Sequence, residues 1–194
     1  MKKKFSLIFI VLLQGCTSSE LPVSTKKPAE NVNGSDLNSN YEKNLKDITG
    51  FYFDGMITLM MYEKLEYAGA LGKYFLKRTD VLDARVIAND KIYKEKSIDQ
   101  PQDELSNKIF AGYGKPIVVH DKKTGIMSIS VPMTATENTR GVNCTVCHKV
   151  PIGTVLGVLR MEYSLYTRDA QTADEFKSGL RSYLCSEVLP KKAC

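Results

Sequence analysis

The chain has 194 residues, 43% of them hydrophobic and 25% charged, with a formal charge of +5, five cysteines and only two histidines. That length holds one domain with an ordinary core, not several. The basic excess sits at the start, since removing residues 1–15 takes away three lysines and leaves +2. No basic run with interleaved aromatics follows, so nucleic acid is excluded as an expected partner.

Lys2, Lys3 and Lys4 precede the apolar run FSLIFIVLL, and LQGC ends at Cys16. Nine apolar residues are too few to cross a bilayer, which needs roughly 17–25, so the pattern reads as an export signal. Leu13-Gln14-Gly15-Cys16 resembles the lipobox of bacterial lipoproteins, with Gln14 where a small residue is usual. The resemblance implies a lipidated Cys16 as a membrane anchor facing the periplasm. Thr17 after it points toward the outer membrane. Residues 17–38 are rich in Ser, Thr, Pro, Asn and Lys. Such a coil holds a domain on the order of 25 Å from its anchor. The expected division is a signal peptide over 1–15, anchor and tether over 16–40, and one domain over 41–194.

A helical stretch is expected from about Tyr41 to Lys77, where Leu45, Ile48, Tyr52, Met56, Leu59, Met60, Tyr67, Leu71, Tyr74 and Phe75 recur at spacings of three and four. Glu63 is the one polar residue in that stripe. Unbroken, the helix would run roughly 55 Å, so it either bends at Gly50, Gly55, Gly69 or Gly72 or lies against a second subunit, for which a homodimer is the expectation. Strand signals follow at 81–88, 115–120, 125–132 and 154–164. Met127, Ile129 and Val131 alternate with Ser128 and Ser130, and HDKKTG between the middle pair suits a hairpin turn. Helices at about 101–111 and 172–185 complete an α+β outline on an antiparallel sheet.

Gly141 to Arg160 reads GVNCTVCHKVPIGTVLGVLR, with Cys144, Cys147 and His148 in a C-x-x-C-H pattern. Two thiols three apart can each add to one vinyl group of haem, and the adjacent histidine can then ligate the iron, with attachment outside the cytoplasm. The export signal and the motif therefore point to one haem c, independently. Zinc needs four ligands, and Cys185 and Cys194 form no recognisable knuckle with the motif. A thiol redox pair usually sits in a βαβ setting, absent here. Both stay open as remote alternatives. Cys185 and Cys194, nine apart in an oxidising compartment, are candidates for a disulfide.

DARVIAND, QPQDEL, AGYGKPIV, ISVPM and NCTVCHKVPIGTVLGVLRMEYSL follow one another in an order that resembles the extracytoplasmic haem-c sensor domains, PAS- or Cache-like in fold, of bacterial chemotaxis receptors and sensor histidine kinases. The resemblance covers about Tyr41 to Leu165. It implies a long N-terminal helix on an antiparallel sheet, haem on a loop before the last strand, a swapped dimer, and redox or ligand sensing. No transmembrane, kinase or methyl-accepting region is expected after Leu165, so a signal would pass to another protein. The alternative is a periplasmic electron carrier.

The residue opposite His148 separates these roles, because a strong sixth ligand favours electron transfer and an open iron favours binding of NO, CO or oxygen. Met60 and Met61 are candidates through the family's use of the N-terminal helix, and His120 is the other histidine. Met127, Met133 and Met161 are weaker. Arg140, Lys149 and Arg160 lie near the motif and could meet haem propionates, and Arg85 joins them through the resemblance. No catalytic triad, metal helix or phosphate loop is present, and no enzyme activity is expected.

Overall fold

The computed structural model describes residues 39–92, 103–112 and 114–194. The expected signal peptide, the Cys16 anchor and the tether as far as residue 38 lie outside the described residues. Among the described residues, no helix is long and apolar enough to cross a membrane. The chain runs α1 (Ser39–Met61), α2 (Ala68–Phe75), β1 (Val81–Ala88), α3 (Glu104–Phe110), β2 (Ile117–Asp121), β3 (Ile126–Thr134), α4 (Cys144–Cys147), β4 (Val155–Ser164) and α5 (Ala173–Glu187). The fold is α+β with one antiparallel sheet in the order β1-β4-β3-β2.

Leu45, Ile48, Tyr52, Met56 and Leu59 stack on one stripe of α1 and bury it against Met127, Ile129, Leu159, Met161 and Tyr163 of β3 and β4. Phe176, Leu180 and Leu184 of α5 close the same core, with the Phe176 ring edge-on to Phe75 at 4.9 Å. On the opposite face Ile109 of α3 covers Ile87, Val155 and Val158. Strand period accounts for the split: the odd residues 159, 161 and 163 of β4 face α1, whereas Val158 and Arg160 face α3.

The helix expected to continue to Lys77 instead ends after Met61, and none of the four glycines breaks it. Glu63 takes φ 54°, while Lys64 N–H reaches Leu59 O at 2.7 Å and Glu63 N–H reaches Met60 O at 3.2 Å. These two bonds form the Schellman ending that usually has glycine at the left-handed position. The polar interruption of the apolar stripe is thus the helix stop, and a short 3₁₀ turn at Leu65–Tyr67 leads into α2. An L side chain in the left-handed region costs about 1 kcal/mol. Glu63→Gly is expected to raise the stability by that amount, read as a higher urea midpoint at an unchanged denaturant slope.

Arg160 departs from its expected role near haem propionates. It is buried on the α3 face, where it pairs with Asp103 and donates to Ser130 Oγ at 3.2 Å and to Ser106 Oγ at 3.0 Å. Closeness to the motif along the chain misleads because strand alternation turns this side chain to the far side of the sheet. The Arg160 guanidinium holds the Asp103 carboxyl well below the usual carboxylate range.

Tyr163 is fully buried, sharing a 2.7 Å hydrogen bond with Thr49 Oγ1. Burial pushes its hydroxyl above the ordinary tyrosine range and pushes Tyr52 up to about 12. Both folded values exceed the unfolded one near 10, so the stability these groups supply is complete below about pH 10 and is lost as pH rises through the folded values. The urea midpoint is expected to fall between about pH 10 and about pH 12. Tyr52→Phe/Tyr163→Phe should flatten that decline, whatever it costs at neutral pH. An unchanged slope would refute the assignment.

Candidate functional site

The motif sits on a loop pinched off between β3 and β4. A register shift at Met133/Thr134 ends the regular ladder. Ala135 N–H then donates to Thr154 O and Gly153 N–H to Ala135 O, both at 2.8 Å, closing the loop at its neck. Inside it, Thr139 and Val142 exchange two backbone bonds of 2.7 and 3.0 Å across Arg140 and Gly141. Both central residues have positive φ, 52° and 86°, as in a two-residue type I′ hairpin. Arg140 pairs with Asp54 and lies 5.5 Å from the Phe53 ring, which ties the hairpin to α1. Its charge therefore faces α1.

Asn143 follows as a cap, its side chain accepting from Thr145 N–H at 2.9 Å, and Cys144 N–H donates to Thr136 O at 2.9 Å. Cys144 to Cys147 make one helical turn, α4, so their thiols at i and i+3 share a face. Neither is in a disulfide. Cys144 is half-buried with its thiol 3.6 Å from Thr139 Oγ1, and Cys147 is exposed. His148 leaves the turn in an extended conformation, φ −109° and ψ 109°, its N–H held by Cys144 O at 3.0 Å.

His148 stands at the junction of two apolar cavities. One, of about 400 Å³, is lined by Phe53, Ile57, Met61, Val142, Cys144 and Cys147 among others. The other, of about 610 Å³, is lined by Tyr52, Met56, Gly69, Lys73, Ala84 and Arg85 among others. Met60, Met133, His148 and Leu156 line both. The larger cavity exists because α2 meets β1 through small residues, Ala68, Gly69 and Gly72 against Ala84 and Ala88. At Gly72 a Cβ would lie 3.0 Å from Ala84 O and 3.2 Å from the Tyr52 hydroxyl, so a side chain there would push these neighbours back by a few tenths of an ångström. Each volume falls within the roughly 300–1,000 Å³ of ligand pockets.

The sulfur and nitrogen candidates separate clearly by position. Met60 is half-buried on both cavities, while Met61 touches only the smaller one and is 57% exposed. Met133 lines both. Met127 and Met161 are buried in the main core, the latter accepting from the Tyr163 hydroxyl at 3.2 Å, and neither lines a cavity. His120 is exposed on the edge strand β2 and lowers the Glu42 pKa from nearby, behind the pull of Lys46. Glu42 and Met60 are eighteen residues apart on α1, about 27 Å, so His120 is at the other end of the molecule from His148. Lys149 is exposed outside both cavities, and Arg85 reaches the larger one while pairing with Asp83 at 3.0 Å.

Cys185 and Cys194 are joined to each other at the C-terminal tail. Among the described residues no three His, Cys, Asp or Glu side chains are grouped to hold a metal ion. The donor set fits a haem: two free thiols on one helical face, an imidazole following them, and thioethers and cations lining the adjoining apolar cavities. Lys73 escaped the sequence reading, and Gly69 and Gly72 entered it only as candidate bends. The signal was there in the small-residue cluster directly after the Glu63 helix stop, but only its contact with β1 makes it a void.

Fold and site together define a class, an α+β domain that presents a cysteine-cysteine-histidine loop over a two-part apolar cavity. No family model, curated protein or solved structure matches the chain.

Proposed function

We propose that this chain is a monohaem c-type protein of PAS/Cache-like fold, tethered to the cell envelope through Cys16 and acting as a redox or small-gas sensor. The observation that carries the reading is the pair of free thiols one helical turn apart with His148 at the junction of two apolar cavities. Cys144 and Cys147 would hold the porphyrin through thioethers, His148 would ligate the iron, and Met60 and Met133 line the space they share with it. When bound, the haem supplies one-electron chemistry and a metal centre open to small gases. The long helix on one face of an antiparallel sheet, with the motif on the loop before the last strand, supports the PAS/Cache-like assignment.

A second reading, electron transfer, is favoured by Met60 and Met133 lining the same two cavities as His148, because a thioether there would give the iron a second strong ligand, close it to gases and raise its potential. The test is expression of residues 17–194 behind a cleavable export signal in a host that matures c-type cytochromes. A pyridine haemochrome of c type is expected. Equilibrium binding of CO or NO by the ferrous protein supports sensing, and a low-spin spectrum unmoved by either gas supports the carrier. A colourless, folded product would refute the haem reading and turn attention to thiol redox chemistry.

A further inference from the structure

The two cavities differ in the charges they carry. Among the described residues the charged side chains lining the larger one, His148 aside, are Lys73 and Arg85, with no acid. The smaller one is lined by both motif thiols and by Glu63. Lys73 is exposed at the mouth and makes no ion pair among the described residues. Arg85, 43% exposed at its side chain, forms an ion pair with Asp83 through Nε, and a guanidinium carries five donors in all. The same cavity is also lined by Tyr52, Met56, Leu76 and Val86, a largely apolar surface.

In a haem the two vinyl groups lie on one edge of the macrocycle and the two propionates on the opposite edge, with the iron between. The chain presents chemistry in the same order: thiols in the smaller cavity, imidazole and thioether at the junction, cations in the larger one. We propose that one haem spans both cavities, its propionate carboxylates held by Lys73 and Arg85 at the mouth of the larger. This rests on the haem reading above. It also accounts for the small residues of α2 and β1, which leave room for the ring beyond the thiols, and makes Lys73 a haem-binding residue.

The test uses the Cys144→Ala/Cys147→Ala protein, which keeps His148 and is expected to bind haem reversibly. Haemin and its dimethyl ester, in which both propionates are neutral, are each titrated by Soret absorbance. Charge-assisted hydrogen bonds to two carboxylates should favour the diacid by about tenfold or more. Adding Lys73→Gln and Arg85→Gln should bring the two ligands within about twofold, whereas Lys149→Gln, outside both cavities, should leave the preference intact. Equal affinities in the parent, or a preference that survives loss of both cations, would overturn the proposal. In the covalent holoprotein, Lys73→Gln/Arg85→Gln should lower the midpoint potential, since nearby cations disfavour the ferric charge, and an unmoved potential counts against it equally. A wild-type protein without covalent haem defeats the haem reading and this inference together. Covalent haem without ester discrimination overturns this inference alone.

Discussion

Asp80→Ala is expected to destabilise the domain by about 3–5 kcal/mol, the range for breaking a buried ion pair by removing one partner. Arg78 Nε donates to Asp80 Oδ1 at 2.9 Å and Nη2 to Oδ2 at 2.8 Å, with side chains 1% and 0% exposed. Around this pair Arg78 Nη1 donates to Gln171 O at 3.1 Å, the Tyr41 hydroxyl donates to Asp80 at 3.2 Å, and the guanidinium lies 5.2 Å from the Phe176 ring. The start of β1 is thereby joined to the N-terminal end of α1 and to the approach to α5. Removing the carboxylate strands a cation that has no route to water, and the cost is that of an unpaired buried charge. Against a typical stability of 5–15 kcal/mol this is a large share. The companion Arg78→Met/Asp80→Ala removes both charges and should recover much of the loss in urea denaturation. A double variant as unstable as the single one would show that the packing around the pair, not the orphaned charge, sets the cost.

That pair marks where the sequence was silent. Arg-Thr-Asp ahead of a strand looks like solvated turn, and nothing in the spacing of Arg78 and Asp80 announces that Gln171 and Phe176, some ninety residues on, will cover them. Arg160 fails for a related reason, since a strand arginine beside Ser130 is recognisable as a strut only once β3 is paired to β4. The strands themselves were legible to within two residues, because period-two alternation and the turn at Asp121–Gly125 are local signals. The motif was legible as a residue pattern, and what the chain order hides is its surroundings. Met60 and Met61 are neighbours in sequence, yet only the helix phase puts one at the junction and the other toward solvent. His120 stood equal to them in sequence and falls at the far end of α1.

Cys144→Ala/Cys147→Ala is expected to abolish retention of haem through denaturing electrophoresis, while either single substitution leaves one thioether and a stained band. The loss should be complete in the double variant because noncovalent contacts, however many, do not survive denaturation. Folding is not the confounder. Cys147 is exposed and Cys144 offers only a weak thiol bond at 3.6 Å to Thr139, so the apoprotein should keep its stability in urea to within about 0.5 kcal/mol. His148→Ala separates the roles further: the thiols still attach the ring, so the band persists, but the spectrum loses its imidazole ligand. Zinc or a thiol redox pair predicts a different pattern. A zinc site would lose its metal with His148 as readily as with either cysteine, and a redox pair would lose activity with one cysteine and ignore the histidine. Retention governed by the two thiols and spectrum governed by His148 is the signature that only a covalently held haem produces.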